Sequence, residues 1–143
     1  RQREGVDCVA GLEALDGFLA GIKIVVVMLP LTAETHHLLD ERRLGLLPQG
    51  AKLINVARGA VVDEAALIAA LASGGIASAT LDVFETEPLP PESPLWSMEN
   101  VLITPHLASV AIPQSAAAQI AENIRRVRRG EPVHFQVEPG RGY

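Results

Sequence analysis

The sequence predicts an α/β fold: a parallel sheet with helices packed on both faces. Three observations carry that prediction. Short apolar runs alternate with stretches of helical spacing, the pattern of strands joined through right-handed crossovers. Three of these runs lead directly into polar signatures, NVARG at 55–59, LDVFETEP at 81–88 and TPHLAS at 104–109. Aromatic residues make up only 3% of a chain that is 48% hydrophobic. The core must therefore be Ala, Val, Leu and Ile, the usual filling of a helix-covered parallel sheet.

Taken in order, residues 6–10 read as a short strand, and Leu12, Leu15 and Leu19 share the i, i+3, i+7 spacing of one helical face. The run at 22–29 is nearly continuous and rich in β-branched residues, the mark of a strand buried on both faces. Pro30 ends it, since proline cannot donate to a ladder. Between Pro30 and Pro48 the pattern gives a loop, a helical turn and a short helix with Asp40 as N-cap. Gly50 marks the turn into a strand at 51–56, and Asp63 caps the next helix, which Gly74 and Gly75 stop. Residues 76–81 and 101–103 are further strands, for a total of four or five. A long helix spans about 113–129, with Pro113 in its first turn. Its basic end, Arg125, Arg126, Arg128 and Arg129, complements the helix dipole. The segment 130–143 reads as a C-terminal tail laid over a surface.

Composition narrows the function classes. A net charge of −5 with no long basic run argues against nucleic acid or an anionic membrane as partner. The longest apolar run, 24–31, is roughly half or less of the ~20 residues that cross a bilayer. Cys8 is the single cysteine, which excludes an internal disulfide and a cysteine-based zinc site and suits a reducing cytoplasm. His36 and His37 have no acidic or cysteine partner at metal-ligand spacing, so they read as surface residues and no metal is expected.

In a parallel sheet the carboxyl ends of the strands line one edge, so polar groups that follow successive strands converge. Arg58, Asp82, Glu87 and His106 are therefore candidates for one site. Each has an ordinary alternative: a solvated arginine, a glutamate in an exposed Glu-Pro turn, a satisfied core histidine. Trp96 reads as an anchor for its proline-rich loop.

The three signatures, together with Leu29-Pro30 before them, resemble the D-isomer-specific 2-hydroxyacid dehydrogenases. The match covers essentially the whole chain and is closest to the glyoxylate/hydroxypyruvate reductase A branch, which EPLPPESPLW (87–96) and QVEPGRGY (136–143) resemble in particular. Arg58, Glu87 and His106 stand in the family's order, 29 and 19 residues apart. The resemblance implies the C-terminal portion of a Rossmann-like, doubly wound NAD(P)-binding domain over residues 1–129, followed by the tail. A whole domain of that kind opens with a strand and a G-x-G-x-x-G turn, and this sequence contains no such turn. The chain by itself is accordingly expected to bind NAD(P)H weakly and to show no reductase activity.

The same resemblance implies reduction of a small 2-keto acid, glyoxylate or hydroxypyruvate, with Arg58, Glu87 and His106 as catalytic residues. Histidine suits the proton donor because its ordinary pKa lies near neutrality. A neighbouring carboxylate favours the imidazolium, and an arginine fork matches the substrate carboxylate. The hydride must come from a nicotinamide. By family correspondence Asp82 would face the nicotinamide carboxamide. Leu29, Pro30, Val56 and Ala57 would pack along the cofactor, with Arg58, His106, Ala108 and Ser109 also within reach. The cofactor is NADP or NAD, with NADPH favoured because Arg1 and Arg3 fall where the family's phosphate-binding basic residues begin. The full-length protein is expected to be a cytoplasmic homodimer. Formate oxidation fits less well, since that chemistry needs no acid–base proton. A cofactor-sensing, corepressor-like binding module is the alternative from another class.

Overall fold

A computed structural model of the chain describes residues 5–108 and 112–137. Arg1, Arg3 and Ser109 lie outside the described residues, as does the end of the tail. The chain divides into two compact units, Arg1–His106 and Leu107–Tyr143.

The first unit is a four-stranded parallel sheet: β1 (Ile24–Val27), β2 (Ala51–Asn55), β3 (Ile76–Leu81) and β4 (Val101–Ile103), in the spatial order β1-β2-β3-β4. All three pairings are parallel, with Val27 opposite Asn55, Asn55 opposite Leu81, and Leu81 opposite Ile103. The helices of this unit are α1 (Leu15–Leu19), α2 (Glu41–Leu44) and α3 (Glu64–Ala72). Two caps foreseen from the sequence are formed. The Asp40 carboxylate accepts from the Arg43 N–H at 2.8 Å and that of Asp63 from the Ala66 N–H at 2.9 Å. These bonds satisfy amides that have no partner inside their helices. Gly74, at φ 76, ends α3 in the left-handed conformation that glycine adopts most easily.

The buried core of this unit gathers on one face of the sheet. Strand order follows chain order, so right-handed crossovers stepping in one direction deliver every connection to the same side. Burial alternates along β1 in consequence: Val25 and Val27 are buried, while Ile24 and Val26 are 56% and 51% exposed. The β-branched run at 22–29 is thus a one-sided strand, four residues long. Leu19, Leu53, Val61, Leu67, Ile76 and Leu95 are among the fully buried side chains that fill the covered side.

Residues 6–10 differ more sharply from expectation. They contain one bridge residue, Val6, and no regular strand; a strand needs a ladder along its length, and Val6 and Val9 remain exposed. The predicted helix at 12–19 is split into a 3₁₀ turn, Leu12–Ala14, and α1. In the second unit α4 (Pro113–Arg128) has proline in its first turn and arginines in its last, as read from the sequence. Asn123 ties the following segment to α4, accepting from the His134 N–H at 2.8 Å and donating to the His134 carbonyl at 3.2 Å.

Candidate active site at the carboxyl edge of the sheet

The ladder continues one residue past each inner strand end. Val56 N–H donates to the Val27 carbonyl at 3.3 Å, Asp82 N–H to Asn55 at 3.0 Å and Thr104 N–H to Leu81 at 3.0 Å. The loops bearing Arg58, Glu87 and His106 therefore leave the sheet from fixed points on one edge.

Buried Asn55 shapes the first loop. Its Oδ1 accepts from the Ala57 N–H at 3.1 Å and its Nδ2 donates to the Arg58 carbonyl at 3.1 Å. Folding the chain back on itself in this way is what asparagine does at turns. Arg58 is exposed, with Nη1 donating to the Ala57 carbonyl at 2.7 Å. Gly59 is buried against the next loop: a Cβ there would lie 1.8 Å from the Phe84 carbonyl carbon and 2.3 Å from the Glu85 nitrogen. Only glycine permits this approach of the two main chains.

On that second loop, the Phe84 N–H donates to Glu87 Oε1 at 3.0 Å, and Glu87 Oε2 meets His106 Nδ1 at 2.9 Å. The hydrogen bond with His106 holds the Glu87 carboxyl below the usual carboxylate range, with help from the Phe84 amide and the nearby Arg58 charge. With Nδ1 engaged, Nε2 is the ring nitrogen that can face a reactant. His106 itself is left-handed at φ 54, a conformation a non-glycine residue keeps only where its surroundings impose it. Behind this pair, buried Asp82 accepts from the Thr104 hydroxyl at 2.5 Å. Asp82, Phe84, Glu87, Leu89, Trp96 and His106 are among the residues lining a cleft of about 470 Å³. Trp96 donates its indole N–H to the Pro90 carbonyl at 2.9 Å, consistent with an anchor for its loop.

Thus the structure brings Glu87 and His106 into contact, sets Asp82 beside them, and couples Arg58 to Glu87 through charge. Leu29 and Pro30 follow β1 and are exposed, Val56 is half-buried, and Ala57 sits in the core. Ala108 is exposed in the second unit. Among the described residues no group of three or more His, Cys, Asp or Glu side chains is arranged to hold a metal ion.

The sequence reading of His37 as a surface residue without an acidic partner at metal-ligand spacing stands beside two ion pairs that it did not foresee. Nε2 lies 2.8 Å from Glu85 Oε1, and Nδ1 lies 4.0 Å from Asp63 Oδ2. Both are remote in sequence, so metal-ligand spacing could not reveal them. Sequence reasoning also missed Asn55 and Gly59. An asparagine closing a strand before a turn was an available signal for the first. The second is defined only by a main-chain approach across 25 residues.

The sequence profile described as D-isomer specific 2-hydroxyacid dehydrogenase, NAD binding domain, matches residues 2–108. The chain belongs to this dehydrogenase family. A solved D-isomer specific 2-hydroxyacid dehydrogenase from Xanthobacter autotrophicus Py2, in complex with NADPH and MES, is 71% identical with a TM-score of 0.97. That match covers 100% of this chain and 59% of the relative. A probable 2-hydroxyacid dehydrogenase from Rhizobium etli CFN 42, in complex with NADP, HEPES and L(+)-tartaric acid, is 38% identical with a TM-score of 0.90. An NADPH-dependent glyoxylate/hydroxypyruvate reductase from Sinorhizobium meliloti, in complex with NADP and sulfate, is 34% identical with a TM-score of 0.93. The last two matches each cover 100% of this chain and 46% of the relative. The chain thus spans about half the length of these solved family members.

Proposed function

We propose that this chain carries the catalytic side chains of an NAD(P)H-dependent reductase of small 2-keto acids, glyoxylate or hydroxypyruvate first. The observation that carries the reading is the 2.9 Å contact of Glu87 Oε2 with His106 Nδ1, at the strand edge where Arg58 also emerges. A carboxylate on Nδ1 fixes the ring and leaves Nε2 to give a proton to the carbonyl oxygen as that oxygen gains charge. Arg58 supplies a permanent cation for the substrate carboxylate. Asp82, an acceptor buried beside His106, fits the carboxamide of a nicotinamide, and bound NAD(P)H supplies the hydride. The carbonyl carbon gains that hydride and the oxygen gains the His106 proton, leaving a 2-hydroxy acid and oxidised cofactor. NADPH is favoured because two family members above are complexed with NADP and one with NADPH.

The test is turnover of glyoxylate and hydroxypyruvate with NADPH by the full-length protein. His106→Ala should lower kcat by roughly 10²–10⁴-fold, as lost acid–base catalysis does, and Glu87→Gln should lower it too. An unchanged rate in His106→Ala would overturn the assignment. Ligand binding without turnover in the wild type would favour a sensing module instead.

A further inference from the structure

Glu85, two residues before Glu87, takes no part in the chemistry above, yet its side chain is tied to two other segments. Its Oε1 accepts from the Glu64 N–H at the start of α3 at 3.0 Å and lies 2.8 Å from His37 Nε2. The arrangement is reciprocal, because the Glu85 N–H donates to Glu64 Oε2 at 3.2 Å. His37 is anchored in turn: left-handed at φ 49, it donates its N–H to the Ala60 carbonyl at 2.8 Å. Ala60 belongs to the 3₁₀ turn Gly59–Val61, which begins at the glycine pressed against the Phe84 and Glu85 main chain. These ties close a ring from the Arg58 loop through His37 and Glu85 to the loop that carries Glu87.

Ordinary helix capping does not account for Glu85. The N-cap of α3 is already Asp63, bonded to the Ala66 N–H, and Glu85 reaches the helix from 21 residues away. A tie of that span fixes the loop to the helix more than it completes the helix. What it fixes is the main chain on either side of the Phe84–Glu85 peptide. The amide of Phe84 holds Glu87 Oε1, and Glu87 Oε2 then meets His106.

We propose that Glu85, clasped by Glu64 and His37, is a positioning residue that holds segment 84–87 so that the Glu87 carboxylate meets His106. The proposal rests on the roles given to Glu87 and His106 above. Two further titratable groups face the clasp: Asp63, 4.0 Å from His37 Nδ1, and His36, whose ring stacks on that of His37 at 4.1 Å.

The experiment compares Glu85→Ala and Glu85→Gln with wild type in the full-length protein. In Glu85→Ala, kcat should fall by roughly 10- to 10²-fold, the effect of displacing a reacting group by about 1 Å, while the KM for NADPH stays unchanged. The NMR resonance of the His106 Nδ1 proton should lose the downfield shift of a carboxylate hydrogen bond. Glu85→Gln keeps an acceptor for the Glu64 N–H and should restore most of the rate. A Glu85→Ala protein that melts earlier but keeps the wild-type kcat and His106 resonance would overturn the proposal. Should Glu85→Ala not fold, Glu64→Ala removes the acceptor of the Glu85 N–H while leaving the Asp63 cap, and wild-type behaviour there would overturn it equally. If the wild type reduces no keto acid, the functional reading fails. The His106 resonance in the same variants still decides whether Glu85 positions Glu87.

Discussion

Replacing Gly59 with alanine tests how the site is held together. The added Cβ would stand 1.8 Å from the Phe84 carbonyl carbon, 2.0 Å from its oxygen and 2.3 Å from the Glu85 nitrogen. All three atoms are main chain, so no rotamer change relieves the clash. Real Cβ atoms essentially never approach closer than 3.0 Å, so the Arg58 loop and the Glu87 loop must separate by about 1 Å or more. Overpacking of this kind costs about 1–3 kcal/mol. Under the proposed function stability is the smaller part of the effect, because the separation falls between Arg58 and the Glu87–His106 pair. Misplacing a reacting group by about 1 Å costs on the order of 10²-fold in rate. In the full-length protein, Gly59→Ala should therefore lower kcat/KM for glyoxylate by about that factor while shifting the denaturation midpoint only modestly. A Gly59→Ala enzyme with wild-type kcat/KM and midpoint would refute the view that close main-chain contact between these loops sets the geometry.

Gly17, in α1, is the matched control: its φ is not positive and a Cβ there would meet nothing within 4 Å. Gly17→Ala should stabilise by about 0.5–1 kcal/mol in urea unfolding and leave kinetics unchanged. Asn55→Ala should cost about 1–3 kcal/mol, since it leaves the buried Ala57 N–H without its acceptor. It should also lower kcat/KM by freeing the Arg58 loop. Glu87, its carboxyl held below the usual range chiefly by His106, contributes stability that is present above its unfolded value of 4.5 and is lost as pH falls through the lower folded value. The stability advantage of wild type over Glu87→Gln should thus narrow as pH drops below 4.5; a difference independent of pH from 7 to 3 would contradict that linkage.

Much of this was legible in the sequence because certain residue types have few uses. A β-branched run closed by proline, an Asp at the start of an apolar helical stretch and a glycine at its end place β1, α3 and the turn after it with little ambiguity. The order Arg58, Glu87, His106 after successive strands placed the candidate site on one edge. What was not legible depends on partners. Which side chains of a β-branched run are covered is decided by what packs against it: in this chain Val25 and Val27 are buried while Ile24 and Val26 are exposed. Residues 6–10 carry strand-like side chains, but a strand also needs a neighbour along its length, which local sequence does not specify. The ion pairs of His37 were hidden for the same reason, because its acidic partners lie 26 and 48 residues further along the chain.

The exposed and buried members of the site fail differently when altered, and the physics of the two environments says how. Arg58, Glu87 and His106 are exposed, as the roles proposed for them require, and charge interactions between exposed groups are individually weak. Such groups cannot hold themselves in place by mutual attraction. Their placement comes from Asn55, Gly59 and Asp82, which are buried and bonded or pressed against neighbouring main chain, where an unmade hydrogen bond or a clash is costly. Substituting an exposed member should therefore remove chemistry while leaving the melting temperature nearly constant. Substituting a buried member should lower both together, because the same contact supplies stability and alignment. Glu85 lies between these classes: it is exposed, but its ties run to the Glu64 backbone amide and to a histidine anchored on the Arg58 loop. A positioning role predicts that it behaves like the buried class in rate and like the exposed class in stability, a combination that neither simple catalysis nor simple scaffolding produces.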